Sequence, residues 1–196
     1  MHTINDLLHN ADFSYFSREP FRPDYGHFDG PVYRLVKPQG FISFLGWMMQ
    51  SMWYYSPRDT VRTADFPGLN SFTQNLNSII DLAEKDHVSV VLITQPNLYK
   101  EQLSEEEQNA LYMVRFEAIG PDRQWGAATA YEGFKQYRKA MKSIARKRHV
   151  PLVDLEPEIP KDLQFFKDDV HYKDPAFDKV AEVVADQLIR QINFRK

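Results

Sequence analysis

The sequence predicts an α/β protein built on a parallel sheet. Two short apolar runs, residues 88–93 and 150–155, each follow a stretch with helical apolar spacing, and a third such stretch follows the second run. Helix–strand–helix–strand–helix is the order expected when parallel strands are joined by helical crossovers. Ligands in such folds bind beyond the carboxyl ends of the strands.

Each element has its own signal. Over residues 71–86, Phe72, Leu76, Ile79, Ile80 and Ala83 fall on one helical face, and Ser71 with Gln74 predicts a capping box at its start. Val88, Val90, Val91, Leu92 and Ile93 form a nearly continuous apolar run, the pattern of a strand buried on both faces. Residues 129–148 repeat the helical pattern with Ala130, Phe134, Tyr137, Met141 and Ile144, and Thr129 with Glu132 predicts a second capping box. The basic last turn, Arg146, Lys147 and Arg148, suits the negative end of that helix's dipole. Val150, Leu152, Val153 and Leu155 mark the second strand. Asp174 followed by Pro175 opens the last helix, which is expected to bury Phe177, Val180, Ala181, Val184, Leu188 and Ile192.

With 196 residues, 43% of them apolar and 26% charged, the chain is read as a single domain over 1–196. The formal charge of −3 gives no basic excess for a nucleic-acid backbone, so no nucleic-acid partner is expected. Zero Cys excludes disulfides, thiolate metal sites and cysteine nucleophiles, and leaves the compartment open. No repeat, low-complexity tract or linker is visible.

Residues 9–70 read differently. Fourteen aromatic residues crowd into 7–70, and Pro20, Pro23, Pro31, Pro38, Pro57 and Pro67 interrupt regular structure. This segment is read as a long aromatic-rich insertion that either packs an irregular subdomain or roofs a pocket. Residues 38–57 carry no charge and are long enough to reach across a bilayer, but Pro38, Gly40, Gly46, Gln50 and Pro57 break the run. A buried helix is therefore preferred there over membrane contact.

The chemistry-bearing stretch is Phe166-Lys-Asp-Asp-Val-His-Tyr172, between the second strand and the last helix. Asp168 and His171 stand three apart, a spacing at which a turn brings a carboxylate onto one imidazole nitrogen and leaves the other as a general base. Asp169 competes with Asp168 for that role. A metal held by His171 with Asp168, Asp169 or Asp174 is a weaker reading, since no second His lies near in sequence. An Asp-rich cap on the last helix is the bland alternative. At the other end, Asn5 of Thr3-Ile-Asn-Asp6 could donate its side-chain amide to an oxyanion, or simply occupy a turn.

Taken together, these pieces resemble the SGNH (GDSL-type) hydrolase superfamily. Asn5 and Asp6 match its Gly-x-Asn-Asp block, with Thr3 in place of Gly, and Asp168 and His171 match its Asp-x-x-His block. Phe72-x-x-Asn-Leu-x-x-Ile-Ile80, Val90-Val-Leu-Ile-Thr-Gln-Pro96 and Val150-Pro-Leu-Val-Asp-Leu155 look like the helix and strand segments between them. The resemblance covers about residues 1–8 and 70–193.

The resemblance implies a three-layer α/β/α, flavodoxin-like fold. It makes His171 the general base, Asp168 its orienting acid and Asn5 an oxyanion-hole donor. The implied reaction is hydrolysis of an acyl or acetyl ester of a carbohydrate or lipid, a small-molecule, glycan or lipid ester substrate that calls for no metal or organic cofactor. The family's serine sits in Gly-Asp-Ser on the first strand, and no Gly-Asp-Ser occurs in this sequence. The first strands of the family's sheet have no counterpart either, so the chain is expected to be a partial domain that does not turn over substrate alone. The rival expectation is a non-catalytic binding or accessory domain of the same fold.

Overall fold

The computed structural model describes residues 59–61, 66, 68–116 and 123–191. Asn5, most of the aromatic segment 9–70 and the uncharged stretch 38–57 lie outside the described residues. The elements run in the order β1 (Asp59–Val61), α1 (Gly68–Lys85), β2 (Leu92–Ile93), α2 (Glu105–Ala110), α3 (Tyr112–Phe116), β3 (Arg123–Trp125), α4 (Ala127–Arg148), β4 (Leu152–Val153), a 3-10 turn (Glu156–Glu158) and α5 (Asp174–Gln191).

The class is α/β with parallel pairing. β2 and β4 pair in parallel, Leu92 opposite Leu152 and Ile93 opposite Val153. The ladder bonds run from Leu92 N–H to the Pro151 carbonyl at 2.9 Å and from Thr94 N–H to the Val153 carbonyl at 3.0 Å. A second parallel pair joins β1, near the end of the aromatic segment, to β3, just before α4, and the sequence reading places a strand at neither.

Both strands of the first pair are shorter than the apolar runs that predict them, and they are not buried on both faces. Leu92 and Val153 are buried, whereas Ile93 is 42% exposed. Among the described residues, side chains and not a strand close the other edge of β4. Gln191 on α5 accepts from Leu152 N–H at 3.0 Å and donates to the Leu152 carbonyl at 2.8 Å, while Gln187 accepts from Asp154 N–H at 2.9 Å. Two glutamines one helical turn apart thus occupy the hydrogen-bonding groups that an edge strand leaves open.

α4 buries the face its spacing predicts: Ala130, Phe134, Tyr137, Met141 and Ile144 all lie in the core. It packs on α1, with the Phe72 and Tyr137 rings 5.0 Å apart. Neither expected capping box forms. α1 begins at Gly68, so Ser71 lies inside it, and α4 is entered through Gly126 with no side-chain cap, so Thr129 is likewise internal and buried. Both helices begin upstream of their first apolar-periodic residue, on glycine-containing sequence that the periodicity does not register.

The same two helices end alike. His87 and His149 adopt left-handed φ angles of 57° and 53°. After them, Val88 N–H returns to the Ala83 carbonyl at 2.8 Å and Val150 N–H to the Ala145 carbonyl at 3.0 Å. Each helix therefore closes with a left-handed residue that aims the chain into the following strand.

α5 departs most from expectation. Its buried residues are Ala176 and Val183; Val180, Val184 and Leu188 are half-buried, Ala181 is exposed and Phe177 is 56% exposed. Ile192 lies outside the described residues. Periodicity identifies the apolar stripe of a helix, but how much of it is covered depends on the neighbours it meets.

Candidate active site

The segment after the 3-10 turn is a tight hairpin. Phe166 and Tyr172 form an antiparallel bridge, Lys167 N–H donates to the His171 carbonyl at 2.8 Å, and Lys173 N–H donates to the Phe165 carbonyl at 2.9 Å. The Phe166 ring, fully buried, meets the Tyr172 ring edge-on at 5.5 Å and anchors the base of the hairpin in the core. Residues 168–171 make its tip.

At that tip the expected pair is assembled. Asp168 Oδ1 accepts from the backbone N–H groups of Val170 at 3.1 Å and His171 at 3.0 Å. His171 Nδ1 lies 2.9 Å from Oδ1 and 2.8 Å from Oδ2 of the same carboxylate. The carboxylate is mostly covered, with a side-chain exposure of 22%, while the imidazole stands out at 75%. Desolvation pushes the Asp168 carboxyl up, but the His171 and Val170 amides and then the imidazole outweigh it, so its pKa falls below the usual 3.8. An ionised Asp168 makes Nδ1 the protonated ring nitrogen of the neutral imidazole. Nε2 then carries the lone pair, with no hydrogen-bond partner among the described residues.

Asp169 does not compete for the imidazole. Its carboxylate turns into the core, where Oδ1 accepts from the Tyr99 hydroxyl at 2.6 Å and Oδ2 from the Met113 N–H at 2.7 Å. Its backbone carbonyl accepts from Leu98 N–H at 2.9 Å. Burial raises the Asp169 carboxyl, against the pull of the Tyr99 and Met113 bonds. Burial and the Asp169 charge hold the Tyr99 phenol well above its ordinary value of 10.0.

These bonds place the hairpin beside the loop that leaves β2, at the carboxyl end of the parallel pair. A second polar cluster stands at the same end. Thr94, the first residue past β2, donates to Asp154 at 3.0 Å and accepts from Glu156 N–H at 2.9 Å. The Glu156 side chain, 6% exposed, pairs with Arg138 and, at 2.6 Å, with Lys161. Lys161 also donates to the Tyr99 carbonyl at 2.7 Å, and Lys100 donates to the Lys161 carbonyl at 2.8 Å, so the exits of β2 and β4 are laced together. Burial, then the Arg138 and Lys100 charges, push the Lys161 ammonium down to about 8.

Sequence reasoning found Asp168 and His171, which are neighbours in the chain. It missed Tyr99, Asn97, whose Oδ1 accepts from the Tyr99 N–H at 3.1 Å, Glu156, Arg138 and Lys161. The available signal was position: Asn97, Tyr99 and Glu156 all follow closely on a strand's carboxyl end. Asn5, the expected oxyanion donor, lies outside the described residues. Among the described serines, Ser104 is committed to capping α2, where it and Glu107 form a capping box. Among the described residues, no group of three or more carboxylate or imidazole side chains is placed to hold a metal, and no helix is long and apolar enough to cross a membrane.

The arrangement can take a proton at an exposed imidazole nitrogen while a covered carboxylate balances the charge that forms. No protein-family model matches the chain, and no curated protein or solved structure matches it either.

Proposed function

We propose that the chain carries the base, acid and oxyanion parts of a serine-esterase site of the SGNH type, on a three-layer α/β/α, flavodoxin-like frame. The observation that carries this reading is the 2.8 Å contact between the Asp168 carboxylate and His171 Nδ1, with Nε2 left open. In the reaction, Nε2 removes the proton from a serine hydroxyl as that oxygen attacks an acyl carbonyl. The imidazolium then gives the proton to the leaving alcohol. Water, activated by the same nitrogen, releases the acid and regenerates the serine. Asp168 holds the ring and offsets its positive charge, and Asn5 donates to the carbonyl oxygen as it becomes an oxyanion. The substrate class is an acyl or acetyl ester of a carbohydrate or lipid.

One sequence feature favours a second reading. With no Gly-Asp-Ser present, the same fold could act as a non-catalytic domain that binds a glycan, lipid or protein. An active-site phosphonate applied to the full-length protein separates the two. Labelling of a serine that disappears in His171→Ala supports the esterase. Absence of labelling, or labelling indifferent to His171, supports the binding domain.

A further inference from the structure

Asp168 and His171 are held to each other by the hairpin's own bonds. The tip is tied to the protein body through Asp169, the residue next to Asp168. The contacts that do this include the Leu98 N–H to the Asp169 carbonyl at 2.9 Å, the Tyr99 hydroxyl to Oδ1 at 2.6 Å and the Met113 N–H to Oδ2 at 2.7 Å. Tyr99 is itself fully buried and stacks on Phe134 of α4 with ring centroids 5.2 Å apart. The anchor therefore reaches from the tip of the hairpin to the longest described helix.

The chemistry of the anchor is specific. A carboxylate offers an acceptor on each of two oxygens, and here each oxygen takes a separate donor. An Asn offers one accepting oxygen, so it could accept from only one of them. Among the described residues the partners of Asp169 are a phenol and backbone amides, with no cation, and a buried carboxylate without a counter-ion costs more than an apolar plug of the same shape. Packing alone gives no reason to keep it there. We propose that Asp169 is the positioning residue of the Asp168–His171 pair, clamping Tyr99 and Met113 so that the hairpin tip presents the His171 imidazole in one tautomer and one direction. The purpose of this role rests on the esterase reading; its measurement does not.

Long-range proton–nitrogen spectra of the His171 ring, recorded on the full chain without substrate, test it. The unaltered protein is expected to show the Nδ1–H tautomer alone. Tyr99→Phe and Asp169→Asn are expected to replace it with the mixed tautomers of an unrestrained imidazole. Val153→Ala, which loosens the core at β4, is expected to lower Tm and leave the His171 ring unchanged. Tyr99→Phe deletes one hydroxyl and keeps the ring stacked on Phe134, so it carries the test even where Asp169→Asn does not fold. An unchanged His171 ring in Tyr99→Phe overturns the proposal, as does an equal change in Val153→Ala. A protein that fails to hydrolyse esters but shows the tautomer shift contradicts the esterase reading alone.

Discussion

The Tyr99 hydroxyl donates to the Asp169 carboxylate across 2.6 Å, between residues 70 apart in the chain. Both side chains are buried, Tyr99 completely. The bond joins the loop leaving β2 to the hairpin that carries Asp168 and His171. Without it, the hairpin tip would lose its tie to the protein body.

That burial sets the cost of breaking the bond. Tyr99→Phe leaves one carboxylate oxygen without its donor and is expected to destabilise by about 1–3 kcal/mol. Asp169→Ala leaves the Tyr99 hydroxyl and the Met113 N–H unpaired and is expected to cost more. Urea unfolding of the two variants measures both; equal stability to the parent would contradict the geometry.

The helix ends give a prediction of opposite sign. His87 and His149 sit at left-handed φ angles, where a side chain beyond Cα is strained and glycine is not. Relief of about 1 kcal/mol per site is expected for His87→Gly and His149→Gly, within the left-handed penalty of roughly 1–2 kcal/mol. Thermal unfolding should show a higher Tm for each variant. A fall in either would mean that the imidazole makes a contact worth more than the strain.

At the edge of β4, the amide groups of Leu152 and Asp154 are covered by Gln191 and Gln187. Gln191→Ala and Gln187→Ala are each expected to cost about 0.5–1.5 kcal/mol. Hydrogen exchange should become faster at Leu152 N–H in the first variant and at Asp154 N–H in the second. Unchanged exchange would show that the glutamines do not close the edge.

Two groups shift stability with pH in opposite regions. The Asp168 carboxyl is held below 3.8, so its contribution is present above that value and is lost as pH falls through the folded pKa. Asp168→Asn should flatten the acid limb of the stability curve. Lys161 titrates near 8 in the folded state against 10.5 when unperturbed, so the unfolded chain binds more protons between those values. Stability from this group therefore rises from about pH 8 to 10.5, and Lys161→Met should remove that rise. Chemical unfolding across both windows reads the two effects; an unaltered profile in either variant contradicts its assignment.

What was legible in the sequence follows from range. The Asp168–His171 contact spans three residues and is set by a local turn, so spacing alone predicts it. The face of α4 is legible because one periodicity over a long helix meets a single core. Tyr99 with Asp169 is not: the pair spans 70 residues, and only the fold brings it together. The Ser104–Glu107 capping box opens a helix of six residues, Glu105–Ala110, too short and too polar for apolar spacing to point to it. The exposed Phe177 shows the converse: periodicity assigns it to the buried face of α5, and the neighbours that α5 meets leave it uncovered.

The central claim is that His171, oriented by Asp168, is the proton acceptor of an acyl-transfer site. Its most direct measurement is kcat for an aryl acetate in the full-length protein, compared with His171→Ala and Asp168→Asn. The account predicts a fall in kcat of about 10²–10⁴-fold for His171→Ala, a smaller fall for Asp168→Asn, and little change in KM. A parent protein that turns over the ester no faster than His171→Ala would contradict it.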